Sequence, residues 1–440
     1  MSFPRYTAYK NSGVEWLGEV PKHWDVRRAR RLCEIKKRIV GELGYDVLSI
    51  TQQGIKVKDL ESNDGQLSMD YSKYQLVEVG DFAMNHMDLL TGYVDISPMR
   101  GVTSPDYRVF TIRDPAVCYD RYLLYLFQMG YRCKIFFAYG QGSSQLGRWR
   151  LPAEQFNDLP FPLPPFAEQK GIVEFLDQET AKIDALVGEQ QRLIELLKEK
   201  RQAVISHTVT KGLNPDSTMK ASGIEGVGEI PANWQLTQIK HLAKIRYGIG
   251  EPPRYHESGT PLIRATNVHA GNLFAEGMVF VDPLEIPEQR IVWLSAGDII
   301  VVRSGAYTGD SAIIPSQFGP CIAGFDMILK CHSAYPEFVQ FALLSKYLKD
   351  NQIDLERIRA AQPHLNAEEL GACIVILPSQ HEQVEIVAFL KSRCSEFDTL
   401  ISETQRTIDL LQERRVALIS AAVMGKIDVR NITIREIAAE

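Results

Sequence analysis

The chain has 440 residues, enough for two to four domains with full cores. Its formal net charge of −6 and pI near 5.9 exclude a generally polybasic protein, so any surface for a polyanion must be local. The seven cysteines, at 33, 118, 133, 321, 331, 373 and 394, make no C-x-x-C pair, which argues against zinc and for reduced thiols in a cytoplasmic protein, while the absence of an apolar signal core or of eighteen consecutive apolar residues argues against a membrane.

In chain order, Gly13–Trp24 (GVEWLGEVPKHW) comes first, and its glycines and proline predict a turn-rich lead-in whose Trp24 packs into the domain that follows. From Asp25 to Pro164, strand-like runs (YDVLSIT, KYQLVEVGDFAM, RVFTI) are separated by turn signals, with one helical stretch at Tyr119–Met129. Pro165–Ser206 has apolar residues at alternating steps of four and three, Leu176, Ile183, Val187, Ile194, Leu197 and Val204, and no internal proline. It predicts one long helix, about 60 Å at 1.5 Å per residue. Lys211–Ser222 (KGLNPDSTMKAS) is polar and aperiodic and reads as a linker. A second lead-in, GIEGVGEIPANW at 223–234, precedes a second enclosed domain with the runs TPLIRATNV, DIIVVRS, DMILKC and ACIVILP and a helical stretch at Tyr335–Asn351. A second long helix over 379–424 carries Leu390, Phe397, Ile401, Ile408, Leu411 and Leu418, and a tail over 425–440 has Val429, Ile432, Ile434 and Ile437 available to pack back.

The two halves are copies. Shifted by 214 positions, Pro165–Ser206 superposes without gaps on Ser379–Ser420 with 19 of 42 residues identical, including Glu168 on Glu382, Gln169 on Gln383, Asp184 on Asp398 and Arg201 on Arg415. The lead-ins match at an offset of 210. Within the enclosed domains LSITQ at 48–52 resembles IRATN at 263–267, and Gly80-Asp81 with Thr91-Gly92 resembles Gly297-Asp298 with Thr308-Gly309. The expected architecture is α/β: two similar, mainly-β (α+β) domains, 1–164 and 223–378, separated by two long antiparallel helices (165–210 and 379–424) that form a coiled-coil pair, with an approximate two-fold axis from the duplication. The polar seam residues Thr180, Gln190, Cys394 and Thr404 are expected to set the register.

No catalytic motif is visible. Leu163-Pro-Pro-Phe166 lacks the Asp or Asn an amino-methyltransferase needs at its first position, Gly425-Lys426-Ile427 is not a phosphate-binding loop, and there is no H-E-x-x-H or G-x-S-x-G. Two stretches suit a polyanion. Arg121–Ala153 has no acidic residue and ends in YGQGSSQLGRWR, which places Gln141, Ser143, Ser144, Gln145, Arg148, Trp149 and Arg150 on one loop. Its counterpart RIRAAQPHLN supplies Arg357, Arg359, Gln362, His364 and Asn366. Arg264, Thr266, Asn267, Arg303, Ser304 and Tyr307 sit at strand ends of the second domain, where each faces either DNA or the core. The cluster Arg27, Arg28, Arg30, Arg31, Lys36, Lys37 and Arg38 is either a phosphate contact or an exposed helical face.

GVEWLGEVPKHW, the repetition of LPPFAEQKGIVEFLD as ILPSQHEQVEIVAFL, the linker KGLNPDSTMKASGIEGVGEIPANW and the closing GKIDVR together resemble the specificity subunit of bacterial type I restriction-modification systems over essentially the whole chain. The resemblance implies two target recognition domains, each reading half of a bipartite double-stranded DNA sequence, and a chain without catalysis or cofactor. S-adenosylmethionine, ATP and Mg would then belong to partners: methyltransferase subunits, expected to number two, and motor-nuclease subunits. Two departures stand out, Gly226 where the first copy has Trp16 and Ser379 where it has Pro165, and they predict a looser second lead-in and a different start to the second helix. The helices are expected to set half-sites about one turn, roughly 10 bp, apart. The alternatives are a coiled-coil adaptor that binds proteins without DNA, and an orphan methyltransferase, against which the missing motifs argue.

Overall fold

A computed structural model of the chain describes residues 3–59, 71–142, 149–354, 364–430 and 432. It divides into two compact units, Met1–Gln190 with Thr407–Glu440, and Gln191–Arg406. Each unit therefore takes one half of each long helix.

The two layers of unit 1 are built from eight short strands: β1 (Cys33–Lys36), β2 (Leu48–Thr51), β3 (Gly54–Val57), β4 (Gln75–Val77), β5 (Phe82–Met84), β6 (Val94–Ile96), β7 (Gly101–Thr103) and β8 (Arg108–Ile112), while Tyr9–Asn11 with Glu19–Pro21 and Asp25–Arg28 with Pro160–Leu163 form separate pairs. The eight form an antiparallel sheet in the order β1-β8-β5-β6, and the pairs β3-β2 and β7-β4, which a parallel bridge between Val47 and Val102 joins into a second layer. On the first sheet lie α1 (Asp120–Arg132) and α2 (Ala153–Asp158), and between them Phe82, Phe110, Phe127 and Phe156 stack with ring centroids 4.9–6.5 Å apart. The first long helix, α3, spans Phe166–Lys211.

Unit 2 repeats this plan with β9 (Ala243–Tyr247), β10 (Thr260–Ile263), β11 (Val279–Val281), β12 (Trp293–Leu294), β13 (Ile299–Val301), β14 (Ser311–Ile313), β15 (Cys321–Ala323) and β16 (Met327–Cys331). The orders β9-β16-β13-β14 and β11-β10-β15-β12 match unit 1 strand for strand, down to the parallel pair, here Leu262 with Ile322. Of the weak likenesses in the sequence, Gly80 and Gly297 both turn at φ 90° before β5 and β13, whereas LSIT forms β2 but its match IRATN leaves β10 after Ile263 and forms a 3-10 turn over Ala265–Asn267. Helices α4 (Pro336–Leu344), α5 (Ala367–Ala372) and α6 (Gln380–Val423) complete the unit. The helical stretch expected over Tyr335–Asn351 is broken once, at Ser345, which is extended (ψ 150°) and whose hydroxyl donates to Ala342 O; helical turns resume over Lys346–Ile353.

All twelve seam residues of the long helices are buried or half-buried. Two of the four polar seam residues, Thr180 and Thr404, act differently from expectation. Thr180 and Thr404 turn their hydroxyls back onto Leu176 O (2.6 Å) and Leu400 O (2.7 Å) of their own helices, so they do not reach across. Register is marked instead by repeat-equivalent ion pairs, Arg415 with Asp184 in unit 1 (2.9 Å) and Arg201 with Asp398 in unit 2 (3.0 Å), which show the helix segments in each unit running antiparallel.

The conserved-looking Glu-Gln pair at each helix start ties three elements together. Trp24 and Trp234 are fully buried and donate from Nε1 to Glu168 (2.9 Å) and Glu382 (3.1 Å). Gln169 accepts from Tyr119 N (2.7 Å) ahead of α1, and Gln383 accepts from Tyr335 N (2.8 Å) ahead of α4. At the far ends Gly425 and Gly212, both left-handed at φ 72° and 77°, close the helices against the same tryptophans; a Cβ at Gly425 would lie 2.4 Å from Pro21 Cδ. The two departures have visible consequences. Leu17 is buried while its counterpart Val227 is only partly so, and Ser379 forms a capping box with Glu382, which accepts from Ser379 N (3.2 Å). In the tail, Ile427 and Val429 are buried in unit 1 and Asp428 N donates to Pro4 O (2.8 Å); Ile434 and Ile437 lie outside the described residues.

Candidate nucleic-acid interface

The basic loops of the two domains end at the same place in the fold. Leu151 N donates to His86 O (2.9 Å) in unit 1, and Leu365 N donates to Arg303 O (2.8 Å) in unit 2. The residue before each leucine, Arg150 or His364, thus lies beside the residue two positions past β5 or β13, His86 or Arg303. The pair is histidine and arginine in one unit and arginine and histidine in the other.

In unit 2 the Arg303 guanidinium packs against the rings of Phe325 (4.3 Å) and Tyr247 (4.8 Å), and Nη2 donates to His364 Nε2 (3.0 Å). Its backbone N–H donates to Asp326 Oδ1 (3.2 Å). Asp326 is buried, and burial pushes its carboxyl up to about 6. Ser304 bridges to His364 through the backbone. At the neighbouring end of β10, Arg264 lies over Tyr255 (5.6 Å) and donates to Gly277 O (2.7 Å), with Thr266 exposed beside it. A cleft of about 300 Å³ between these groups is lined by Tyr255, Arg264, Ser304, Phe325 and Asp326. Tyr307 is exposed and meets His269 edge-on at 5.2 Å; His269 Nδ1 lies 2.7 Å from the buried Asp310, which Lys349 also contacts.

Two of the polar candidates are structural. Asn267 is 0 % exposed, its Oδ1 accepts from Arg264 N and its Nδ2 donates to Phe274 O and Glu276 O, so no hydrogen-bonding group is left for a base. Asn366 caps α5, its Oδ1 accepting from Glu368 N and Glu369 N.

In unit 1, Gln141 and Arg150 are exposed and joined by a backbone bridge, while Trp149 donates its indole N–H to Phe137 O (2.8 Å) and stacks on that ring at 5.0 Å. Trp149 therefore braces the loop from inside. His86 is pushed down to about 3, first by burial and then by Arg108 and Arg150, so it stands neutral beside Arg150. Ser143, Ser144, Gln145 and Arg148, and likewise Arg357, Arg359 and Gln362, lie outside the described residues. The other basic cluster is largely neutralised: Arg28 and Arg30 share Asp158 (2.9 Å each), Arg27 pairs with Asp25, Lys36 with Glu34 and Arg38 with Asp81. A phosphate would have to displace those partners.

The exposed aromatic rings around Arg303 and Arg264 were not singled out from the sequence. Tyr247, Tyr255 and Phe325 are 43, 46 and 48 % exposed. A tyrosine or phenylalanine next to a strand reads as core by default, and the one available signal is the glycine flanking two of them, Gly248 and Gly324. Among the described residues no group of three or more His, Cys, Asp or Glu could hold a metal ion, and no helix is long and apolar enough to cross a membrane. None of the seven cysteines forms a disulfide.

Comparison with known proteins gives a consistent picture. Residues 21–196 and 231–410 match the family model described as the type I restriction modification DNA specificity domain. The putative type I restriction enzyme MjaX specificity subunit of Methanocaldococcus jannaschii is 24 % identical over 436 residues, covering 94 % of this chain and 96 % of that one. The MjaVIII specificity subunit of the same organism is 25 % identical over 63 % of this chain and 64 % of its own length, and the EcoKI specificity subunit of Escherichia coli K12 is 23 % identical over 62 % and 58 %. A solved structure from work on complex assembly and conformational transition of the type I R-M system superposes with a TM-score of 0.66 at 13 % identity, covering 92 % of this chain and 98 % of that one; it shows likeness of fold.

Proposed function

The chain belongs to the type I restriction-modification DNA specificity family, and from that premise we propose that it reads a bipartite duplex target, one half with each unit, and brings partner subunits to it. It is the non-catalytic DNA-recognition subunit of such a system. The observation that carries the reading is one two-sheet scaffold built twice with different side chains at the same loop end, His86 and Arg150 against Arg303 and His364. A shared scaffold gives both units the same way of meeting a duplex, and unlike side chains give unlike half-sites. The loops that carry Gln141 and Arg150, and Ser304 and His364, are the surfaces offered to DNA. Bases are selected there while phosphate contacts fix position.

The partners would be two methyltransferase subunits and, in the restricting complex, motor-nuclease subunits, which bring S-adenosylmethionine, ATP and Mg²⁺ with them. Two equal docking sites are supported by exposed leucines that recur with the 214-residue repeat. Unit 1 exposes Leu186 and Leu410 (45 and 56 %), and unit 2 exposes their counterparts Leu400 and Leu196 (47 and 52 %). In unit 1, Asp184 and Gln412 line a cleft against the recognition domain, and in unit 2 Asp398 and Ser402 line the equivalent one. Leu186, Leu410 and Leu400 each lie two residues from such a position, about 200° around the helix, so they point away from the recognition domain. Apolar side chains repeated on that bare side suit two copies of one protein partner. Leu186→Ser with Leu410→Ser should lower the number of bound methyltransferase subunits from two to one, and the four-site variant should abolish binding.

The experiment that tests the reading is selection from a random duplex library by the chain together with a methyltransferase partner, followed by sequencing. Two different short sequences at fixed separation are expected. No enrichment would instead favour the adaptor that binds proteins alone.

A further inference from the structure

Arg303 is fixed along its whole length, as Arg264 is, but it alone of the two packs against two rings and a histidine. Its backbone N–H donates to Asp326 and its backbone oxygen accepts from Leu365, its guanidinium packs on Phe325 and Tyr247, and its Nη2 is held by His364. The buried Asp326 bonds to the backbone and acts on the guanidinium only at longer range, and among the described residues no carboxylate lies at ion-pair distance from it, in contrast to Arg28, Arg30, Arg38, Arg121 and Arg415, each of which has one. The rings that hold it are themselves open to solvent, and Phe325 borders the 300 Å³ cleft at the strand ends. A phosphate contact needs a positive charge and tolerates a mobile side chain. A planar fork can also clasp a phosphate through two N–H groups, but only the reading of a base edge requires the donor pair to be held at one fixed place, and that fixation is what Arg303 shows.

We propose that Arg303 is a base-reading residue of unit 2 and that the base it selects is guanine, whose O6 and N7 accept the paired N–H groups of an arginine. Tyr247 and Phe325 keep the guanidinium from turning and shield it from water, and His364 sets its rotation as a positioning residue. The inference rests on the DNA-reading function proposed above and deepens it. Unit 1 cannot use the same position in this way, because His86 stands there, neutral and partly buried; its cation is Arg150, on the opposite strand of the junction. The two units are therefore expected to place an arginine against DNA from different sides of one scaffold, which gives unlike half-sites without any change of fold.

The test uses the full chain with its methyltransferase partner and compares selected sequences for the unaltered protein, Arg303→Lys, Arg303→Gln and Arg303→Ala. Lysine keeps the charge and can still donate to guanine, but it loses the rigid planar fork and its packing on the two rings, and glutamine presents the pattern that suits adenine. At one position of one half-site, Arg303→Lys should lower guanine preference about 10- to 100-fold, and Arg303→Gln should move the preference toward adenine, as expected for loss of a bidentate contact. The half-site read by unit 1 should be unchanged in every variant, which also reports that the chain is folded and docked. Unaltered selection at both half-sites would overturn the proposal and make Arg303 a structural strut. Uniformly weaker binding, with a salt dependence lowered by about one phosphate and no change of selected sequence, would overturn it in favour of a phosphate contact. If the unaltered protein selects no sequence at all, the proposed function fails before this inference is reached.

Discussion

Glu168 and Glu382 occupy equivalent places in the duplicated helices, yet they should contribute very unequally to stability. Glu168 is buried and accepts three hydrogen bonds, from Tyr6 OH (2.5 Å), Trp24 Nε1 (2.9 Å) and His23 Nε2 (2.8 Å). Glu168→Ala would strand the buried Trp24 and Tyr6 donors, and at about 1–3 kcal/mol for each unsatisfied buried group the loss should be about 2–6 kcal/mol. Glu382 accepts from Trp234 and from its own cap residue Ser379, which sits at the exposed helix start, so Glu382→Ala leaves one buried donor and should cost about 1–2 kcal/mol. Because a two-unit chain does not unfold in one step, the assay is hydrogen exchange read locally, on peptides around Trp24 and around Trp234. Protection should fall more in the first variant and only in unit 1. Equal losses in the two units, or a loss around Trp234 on altering Glu168, would refute the reasoning.

Three further outcomes follow from individual contacts. His86 has its folded-state pKa depressed to about 3, so the stability it contributes is full above pH 6.5 and is lost as pH falls toward 3. Replacing it with Gln should make unit 1 less sensitive to acid by on the order of 3 kcal/mol between pH 6.5 and 3, allowing for partial exposure, as read by acid titration of local exchange. Asp326 has the opposite sign: its folded pKa of about 6 lies above the ordinary 3.8, so its contribution is full below pH 3.8 and lost as pH rises through 6. Asp326→Asn should remove on the order of 3 kcal/mol of that decline from unit 2, measured in the same way between pH 4 and 7. Asp184→Arg should weaken packing beside Arg415, and adding Arg415→Asp should restore it; the pair is partly exposed, so a coupling of about 0.5–1 kcal/mol is expected in a double-mutant cycle, and zero coupling would remove it as a register device.

The duplication was legible because it is written in side chains that bond to one another. Glu168 with Trp24, Gln169 with the start of α1, and Asp184 with Arg415 recur as identical residues because each pair does the same work in both units. The enclosed domains were legible as mainly β, but not as two four-stranded layers, since half of those strands are only two or three residues long and the parallel bridge between Val47 and Val102 has no local signature. The site was read least well, and for a definite reason. Asn267, Asn366 and Trp149 have the chemistry of DNA contacts, and only the fold shows that backbone groups already use them. Conversely, Arg28, Arg30 and Arg38 of the positive cluster at 27–38 are paired with Asp158 and Asp81, residues distant in sequence, and of the exposed rings Tyr247 ends a strand while Tyr255 and Phe325 lie in the loops between strands.

The measurement that addresses the central claim most directly is a domain exchange within one chain. The segment between the paired strands Asp25–Arg28 and Pro160–Leu163 is replaced by its counterpart between Gln235–Gln238 and Ile374–Leu377, and the chimera is used with its methyltransferase partner to select duplex DNA. If each unit reads its own half, both halves of the selected target should become the one that unit 2 reads. A chimera that binds its partner and still selects the original pair of unlike sequences would contradict the account.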